Sequence, residues 1–197
     1  MADSNSRLSK PIIEAAVRLF KKNGFDHVSV NDICAEAGIA RSSFYRVFTN
    51  KQEIISSILH DARSIHNAKV DDLLEAENDF ERMWVLCRRN LAIALNFGPE
   101  LTGSLLGMEL GENVGIVDVI HEMDPWLIKL THNAQKAGII LNPEAPEILA
   151  PLAADLMLQV TYDWCRCKGT FSLCDRARQA AEVALYIAPQ YRWDSKK

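Results

Sequence analysis

The sequence predicts an all-α protein in two parts, three short helices over residues 1–50 and a larger helical domain over residues 51–197. Apolar residues recur at three- and four-residue spacing along most of the chain. No long alternating β-branched run occurs, and no Asn-Gly or Asp-Gly pair separates two such runs. Charge is divided in the same place: residues 1–51 carry a net +3 and residues 52–197 a net −7. With 48% hydrophobic and 24% charged residues the chain has globular composition, which excludes disordered and collagen-like classes.

Each element has its own signals. Ile13, Ala16, Val17 and Phe20 mark the first helix, with Ser9 as N-cap, Pro11 in the first turn and Asn23-Gly24 as the stop. A second, shorter helix carries Ile33, Cys34 and Ala37 between Ser29 and Gly38, and a third covers residues 41–48. The fourth, residues 51–69, shows Ile54, Ile55, Ile58, Leu59, Ala62 and Ile65 and leads into the larger domain.

There, Phe80, Met83, Trp84, Cys87, Leu91, Ala94 and Leu95 form one stripe, stopped by Gly98-Pro99. Gly103, Gly107, Gly111 and Gly115 follow. Each costs about 1 kcal/mol relative to Ala inside a helix, so a broken helical stretch is expected over residues 100–124. Asp124-Pro125 reads as N-cap and first helical residue of a helix reaching Gly138. Asn142-Pro143 opens a long helix to Lys168, with Leu149, Leu152, Ala153, Leu156, Met157, Val160 and Trp164 on one face. The last helix, residues 172–188, has a face made largely of alanine: Ala177, Ala180, Ala181, Ala184 and Ala188. Small side chains let helices approach closely, so these two helices, doubled by two-fold symmetry, would make a four-helix bundle and a homodimer. The alternative is that they complete the core of the single chain.

The longest run without a charged residue, residues 90–99, falls well short of the roughly 20 residues of a membrane-spanning helix. Residues 1–11 are polar, without the apolar stretch of a secretory signal, and the expectation is a cytoplasmic protein. Five cysteines, an odd number, do not suggest a disulfide framework.

Residues 29–51 read as helix, turn, helix. Gly38 supplies the left-handed position that the tight turn needs, and Ile39 plugs the corner. At 100° per residue, Phe44, Val47 and Phe48 fall on one side of the third helix. Ser42, Tyr45, Arg46 and Thr49 fall on the other, flanked by Arg41 and Ser43. Hydroxyls and guanidinium groups on one face suit the major groove of double-stranded DNA, where they meet phosphates and base edges.

The run from Ala15 to Lys51 resembles the N-terminal domain of the TetR/AcrR family of bacterial transcriptional regulators. The likeness is carried by Ala15, Ala16, Leu19, Phe20 and Gly24; by Ser29, Val30 and Ile33; by Ala37-Gly38-Ile39; and by Ser43-Phe44-Tyr45-Arg46-Val47-Phe48 with Asn50-Lys51. It departs at Ala40, where the family mostly has a Ser N-cap; losing that acceptor could cost about 1 kcal/mol. The resemblance implies a homodimeric regulator, usually a repressor, with an N-terminal helix-turn-helix domain and a C-terminal helical ligand-binding and dimerisation domain. It implies DNA contacts at Ser29, Arg41, Ser42, Ser43, Tyr45, Arg46 and Lys51. Arg7 and Lys10 are further basic residues near the N-terminus.

An effector is expected among the helices around Trp84, Cys87, Met108, Trp126 and Trp164. Residues 90–128 hold six acids and no Lys or Arg, which with Trp84, Met108, Met123 and Trp126 would suit a cationic or aromatic-apolar molecule. The competing reading is solvated acids and an ordinary core. The sequence has no GxSxG, no Walker loop, no Rossmann glycine pattern and no His metal motif, so neither catalysis, nor a metal, nor a cofactor is expected. Cys165 and Cys167 point about 200° apart on a helix and cannot grip one ion. Two rival readings remain: an activator or orphan regulator without an effector, and an all-helical carrier that never touches DNA.

Overall fold

A computed structural model describes residues 2–66, 75–112, 115–121 and 123–193 of the chain. The side chains of Arg7, Ala62, Ile65, Lys69, Glu112 and Glu122 lie outside the described residues. The helices are α1 (Ala2–Asn23), α2 (Val30–Ala37), α3 (Arg41–Tyr45), α4 (Lys51–His66), α5 (Asp79–Phe97), α6 (Pro99–Glu112), α7 (Ile116–His121), α8 (Asp124–Lys136), α9 (Pro146–Arg166) and α10 (Leu173–Ala184), with a 3-10 turn at Pro189–Tyr191.

Helix α1 starts upstream of Ser9 and carries Pro11 inside it, at the loss of one ladder hydrogen bond. It ends where expected, with Gly24 at φ +81°. Helix α2 opens on a capping box. The Ser29 hydroxyl accepts from the Asp32 amide at 3.2 Å, and the Asp32 carboxylate accepts from the Ser29 amide at 2.8 Å. Gly38, at φ +66°, makes the left-handed turn. Helix α3 is shorter than expected, because only a turn follows Tyr45, although Phe48 N–H still donates to the Phe44 carbonyl.

Ile12, Phe20, Phe25, Ile33, Phe44 and Ile54 pack into an N-terminal core. That core also takes in Phe97 of α5 and Leu101 and Leu105 of α6. The small helices are therefore completed by residues far along the chain.

Helix α6 runs unbroken through Gly103, Gly107 and Gly111. A Cβ at Gly103 would lie 3.4 Å from Cβ of Cys165, so the missing side chain admits α9 alongside. Helix α7 starts after Gly115, at φ +91°, and the Glu109 carboxylate accepts from the amides of Gly115, Ile116 and Val117 at 3.0–3.2 Å. Helix α8 begins one residue early: Asp124 is helical, and Met123 holds the cap position.

Helix α9 begins at Pro146 instead of Asn142. Asn142 is held elsewhere, its side-chain amide donating to the Ala184 carbonyl at 2.8 Å and its backbone N–H to Leu185 at 3.3 Å. Beside it, Ile140 and Ile187 form an isolated antiparallel bridge that ties the α8–α9 loop to the segment after α10.

The larger core is built from α5, α8, α9 and α10. Leu95 and Leu152 are exposed instead of lying on the apolar stripes, and Phe97 takes the inward position at the end of α5. The alanine face is intramolecular: Ala177 and Ala181 are buried in the same cluster as Phe80, Trp84 and Leu185. The exposed apolar residues of these helices lie on other faces, at Ile148, Leu152 and Tyr162 of α9 and Val183 of α10.

Candidate DNA interface and effector cavity

Helix α3 is anchored by Phe44, which is fully buried and meets Phe48 with ring centroids 6.0 Å apart. That anchor turns Arg41, Ser42, Tyr45 and Arg46 to solvent, with Ser43 half-buried. One turn apart on the helix, the Arg41 guanidinium donates to the Tyr45 hydroxyl at 3.2 Å and lies 5.5 Å from its ring centroid. The hydrogen bond raises the pKa of Arg41, whose guanidinium is cationic in any case. Two polar heads are thereby held together before any anion arrives.

Two expected contacts are engaged within the chain. The Ser29 hydroxyl donates to Asp32 at 2.6 Å, and this hydrogen bond, with the one from the Ser29 amide, lowers the Asp32 pKa. Lys51 directs its ammonium to the carbonyls of Phe25 at 2.7 Å, Val28 at 3.1 Å and Asp26 at 3.5 Å, over the Phe25 ring. The start of α4 is closed by Asn50, which accepts from the Glu53 amide, and by Glu53, which accepts from the Thr49 hydroxyl at 2.7 Å.

A cavity opens among α4 to α9. Leu59, Leu91, Phe97 and Leu105 form part of its wall, with Ile116 and Ile120 of α7. Its polar lining is neutral: Cys87, Asn90, Thr102 and Thr161. Thr161 donates its hydroxyl to the Met157 carbonyl at 2.8 Å and Thr102 to Ala94 at 3.3 Å. Burial pushes the Cys87 thiol up to about 12, so it stays protonated.

Of the five residues expected around an effector, only Cys87 lines this cavity. Trp84 and Trp164 are packed into the larger core, and Met108 packs against the N-terminal core. Trp126 is 66% exposed. Large aromatic side chains at helical spacing fill space, whereas a cavity needs them absent; here Ala94 and Ala154 are part of the wall. The described acids lie outside this lining too. Glu109 caps α7, and Asp124 pairs with His121 at 2.9 Å. No described lining residue of this cavity is charged. Ile116 and Ile120, one helical turn apart beside Met123, are lining residues that the sequence reading missed, and their helical spacing is the signal that could have found them.

Burial also pushes Cys165 up to about 11 and raises Cys174. Among the described residues no cluster of His, Cys, Asp or Glu is arranged to hold a metal ion, and no helix is long and apolar enough to cross a membrane.

Residues 12–58 match the bacterial regulatory proteins of the tetR family. An HTH-type transcriptional regulator of Haemophilus influenzae is 26% identical over 71% of this chain and 74% of its own length. Among solved structures, the fatty acid degradation regulator FadR of Bacillus halodurans superposes with a TM-score of 0.71 at 17% identity, covering 90% of this chain and 94% of that one. FadR of Bacillus subtilis in complex with stearoyl-CoA superposes with a TM-score of 0.68 at 17% identity, covering 89% and 97%. The matched segment is the one that builds the Phe44-anchored helix and its turn, so residues 12–58 match the tetR-family model of bacterial regulatory proteins, and over the rest of the chain the likeness to these regulators is one of fold.

Proposed function

We propose that the chain is a sequence-specific DNA-binding transcriptional regulator, a homodimeric repressor released from operator DNA by a small molecule with an apolar body. Arg41 and Tyr45 are assigned to phosphate and Ser42, Ser43 and Arg46 to base edges, with Ser29 at the start of α2 beside them. Such a protein works in the cytoplasm, where the DNA is. The dimer face is the exposed stripe of Ile148, Leu152, Tyr162 and Val183. It would set the two α3 helices about 34 Å apart, one turn of DNA.

One observation carries the effector reading: Leu59, Phe97 and Leu105 belong to both the N-terminal core and the cavity wall. A molecule that moves those side chains necessarily disturbs the packing that orients α3. The neutral wall favours a hydrocarbon or other uncharged body, since a buried unpaired charge costs several kcal/mol. The FadR complex with stearoyl-CoA makes acyl thioesters the first class to try.

The test is fluorescence anisotropy with a duplex taken from upstream of its own gene, across a salt series and with stearoyl-CoA added. Affinity is expected to fall steeply with salt and to fall again with the effector. Linkage requires the duplex to weaken stearoyl-CoA binding by the same factor. Equal stearoyl-CoA affinities with and without DNA would exclude it as the releasing molecule, and salt-insensitive or absent DNA binding would leave an all-helical carrier.

A further inference from the structure

We infer that Glu109 is a positioning residue for effector binding: its carboxylate clasps the start of α7 and so fixes the part of the cavity wall that Ile116 and Ile120 supply. The inference rests on the effector reading of that cavity, and is independent of the DNA-binding reading of α3. Helix α7 has six residues, about half the length at which an isolated helix begins to hold its shape in water. Its position therefore comes from its contacts.

A helix start leaves its first amides without partners inside the helix. At α7 they are taken by a side chain from a different helix. Glu109 Oε2 accepts from the amides of Gly115 at 3.0 Å and Ile116 at 3.2 Å, and Oε1 accepts from that of Val117 at 3.2 Å. Hydrogen bonds to an ionised acceptor are about twice as strong as neutral ones, so both oxygens of one carboxylate hold the segment firmly. The far end is held as well, with the ring nitrogens of His121 2.9 Å from Asp124 of α8 and 3.3 Å from Asp155 of α9.

These contacts refer α7 to the helices that form the rest of the wall. Leu105, one turn before Glu109 on α6, lines the cavity, as do Leu127 of α8 and Met157 of α9. The room in front of Ile116 and Ile120 is thus set by polar contacts at the two ends of α7. A wall ordered before the ligand arrives loses little freedom on binding, and it imposes a size on what binds.

Glu109→Ala removes the clasp. Binding of Nile red, a neutral apolar dye, and of octanoyl-, lauroyl- and stearoyl-CoA is measured on the DNA-free protein, beside a thermal melt and amide exchange at residues 115–117. The clasp predicts about tenfold weaker binding of the preferred thioester, a smaller spread of affinity across the three chain lengths, and several-fold faster exchange at the three amides. Glu109→Gln restores binding only in part, because one of the two acceptor oxygens has become a donor.

Unchanged affinities and an unchanged chain-length preference in folded Glu109→Ala overturn the proposal. A lower melting temperature with both of these intact also overturns it, since that is stability alone. If the unaltered protein binds Nile red but no thioester, the thioester class is wrong, and the clasp is judged on the loss of dye affinity together with exchange. If it binds neither, the effector reading has failed first and the proposal falls with it. If Glu109→Ala does not fold, His121→Ala, which frees the other end of α7, is measured in the same way: weaker binding with a flattened chain-length preference supports a wall fixed by its ends, and unchanged binding overturns it.

Discussion

Leu59 of α4 and Leu105 of α6 both belong to the N-terminal core, and both also line the cavity. Each is at most 6% exposed, so neither can move away from the cavity without displacing its neighbours in the N-terminal core.

Leu105→Ala should therefore do two things. Stability falls by about 2–4 kcal/mol, as for other buried Leu truncations, and the dependence of DNA affinity on effector shrinks. Thermal melts give the first, and DNA titrations with and without stearoyl-CoA give the second. A destabilised variant with unchanged release would show that Leu105 is packing only.

On α3, Arg46→Ala and Tyr45→Phe should weaken binding to upstream DNA by about 1–3 kcal/mol without altering the melt, because both side chains are exposed. Tyr45→Phe removes the acceptor that steadies Arg41, so its effect should vanish in an Arg41→Ala background. Additive losses would mean that the two contact DNA independently.

The dimer face is tested by a contrast on α10. Ala181→Glu places a carboxylate in the chain's own core and should fail to fold. Val183→Glu, at a site 66% exposed, should give folded monomers that bind DNA weakly. Sedimentation decides: a dimeric Val183→Glu variant would move the interface off this stripe.

Arg178 is 7% exposed, forked onto the Glu81 carboxylate and bonded through Nε to Glu182 at 2.9 Å. Glu182 also accepts from the Trp193 amide. Arg178→Met leaves two acids without their counter-charge inside the larger domain and should cost about 3–5 kcal/mol. A melt within experimental error of the unaltered protein would show that water reaches these carboxylates freely.

Acid should attack the helix starts of the N-terminal domain. Hydrogen bonds from Thr49 lower the Glu53 pKa, and those from Ser29 lower that of Asp32. A depressed carboxyl stabilises the fold above its unfolded pKa of roughly 4 and loses that contribution as pH falls through the folded value. Glu53→Gln and Asp32→Asn should flatten the acid limb of stability below about pH 4.5 and leave its alkaline limb alone. Unchanged acid limbs would mean that these caps persist in the unfolded chain.

What the sequence made legible follows the range of the interactions involved. Ser29, Gly38 and Phe44 act within a few residues of themselves, so the helix-turn-helix and its polar face could be read from spacing. Asn142 could not be read that way, because its amide is captured by Ala184, more than 40 residues on, and this delays α9 to Pro146. The same is true of Lys51, whose partners lie in another loop, and of Ala181, whose small side chain suits any close helix pair, within one chain or between two. The cavity was least legible. Its wall is set by where Ala94 and Ala154 leave room between helices, a property of packing that no local pattern of Trp and Met records.

The presence of Phe97, Leu101 and Leu105 in the N-terminal core has a consequence for synthesis. As the chain leaves the ribosome, the segment that bears α3 emerges first, yet the side chains that close its interior come only about 50 to 60 residues later. Until then Phe20, Ile54 and Leu59 face an unfilled seam, the kind of transient apolar surface that chaperones bind. The nascent regulator cannot complete its reading head ahead of the body that controls it. Truncated products ending before α6 should therefore be cleared by proteolysis and not persist as unregulated DNA binders.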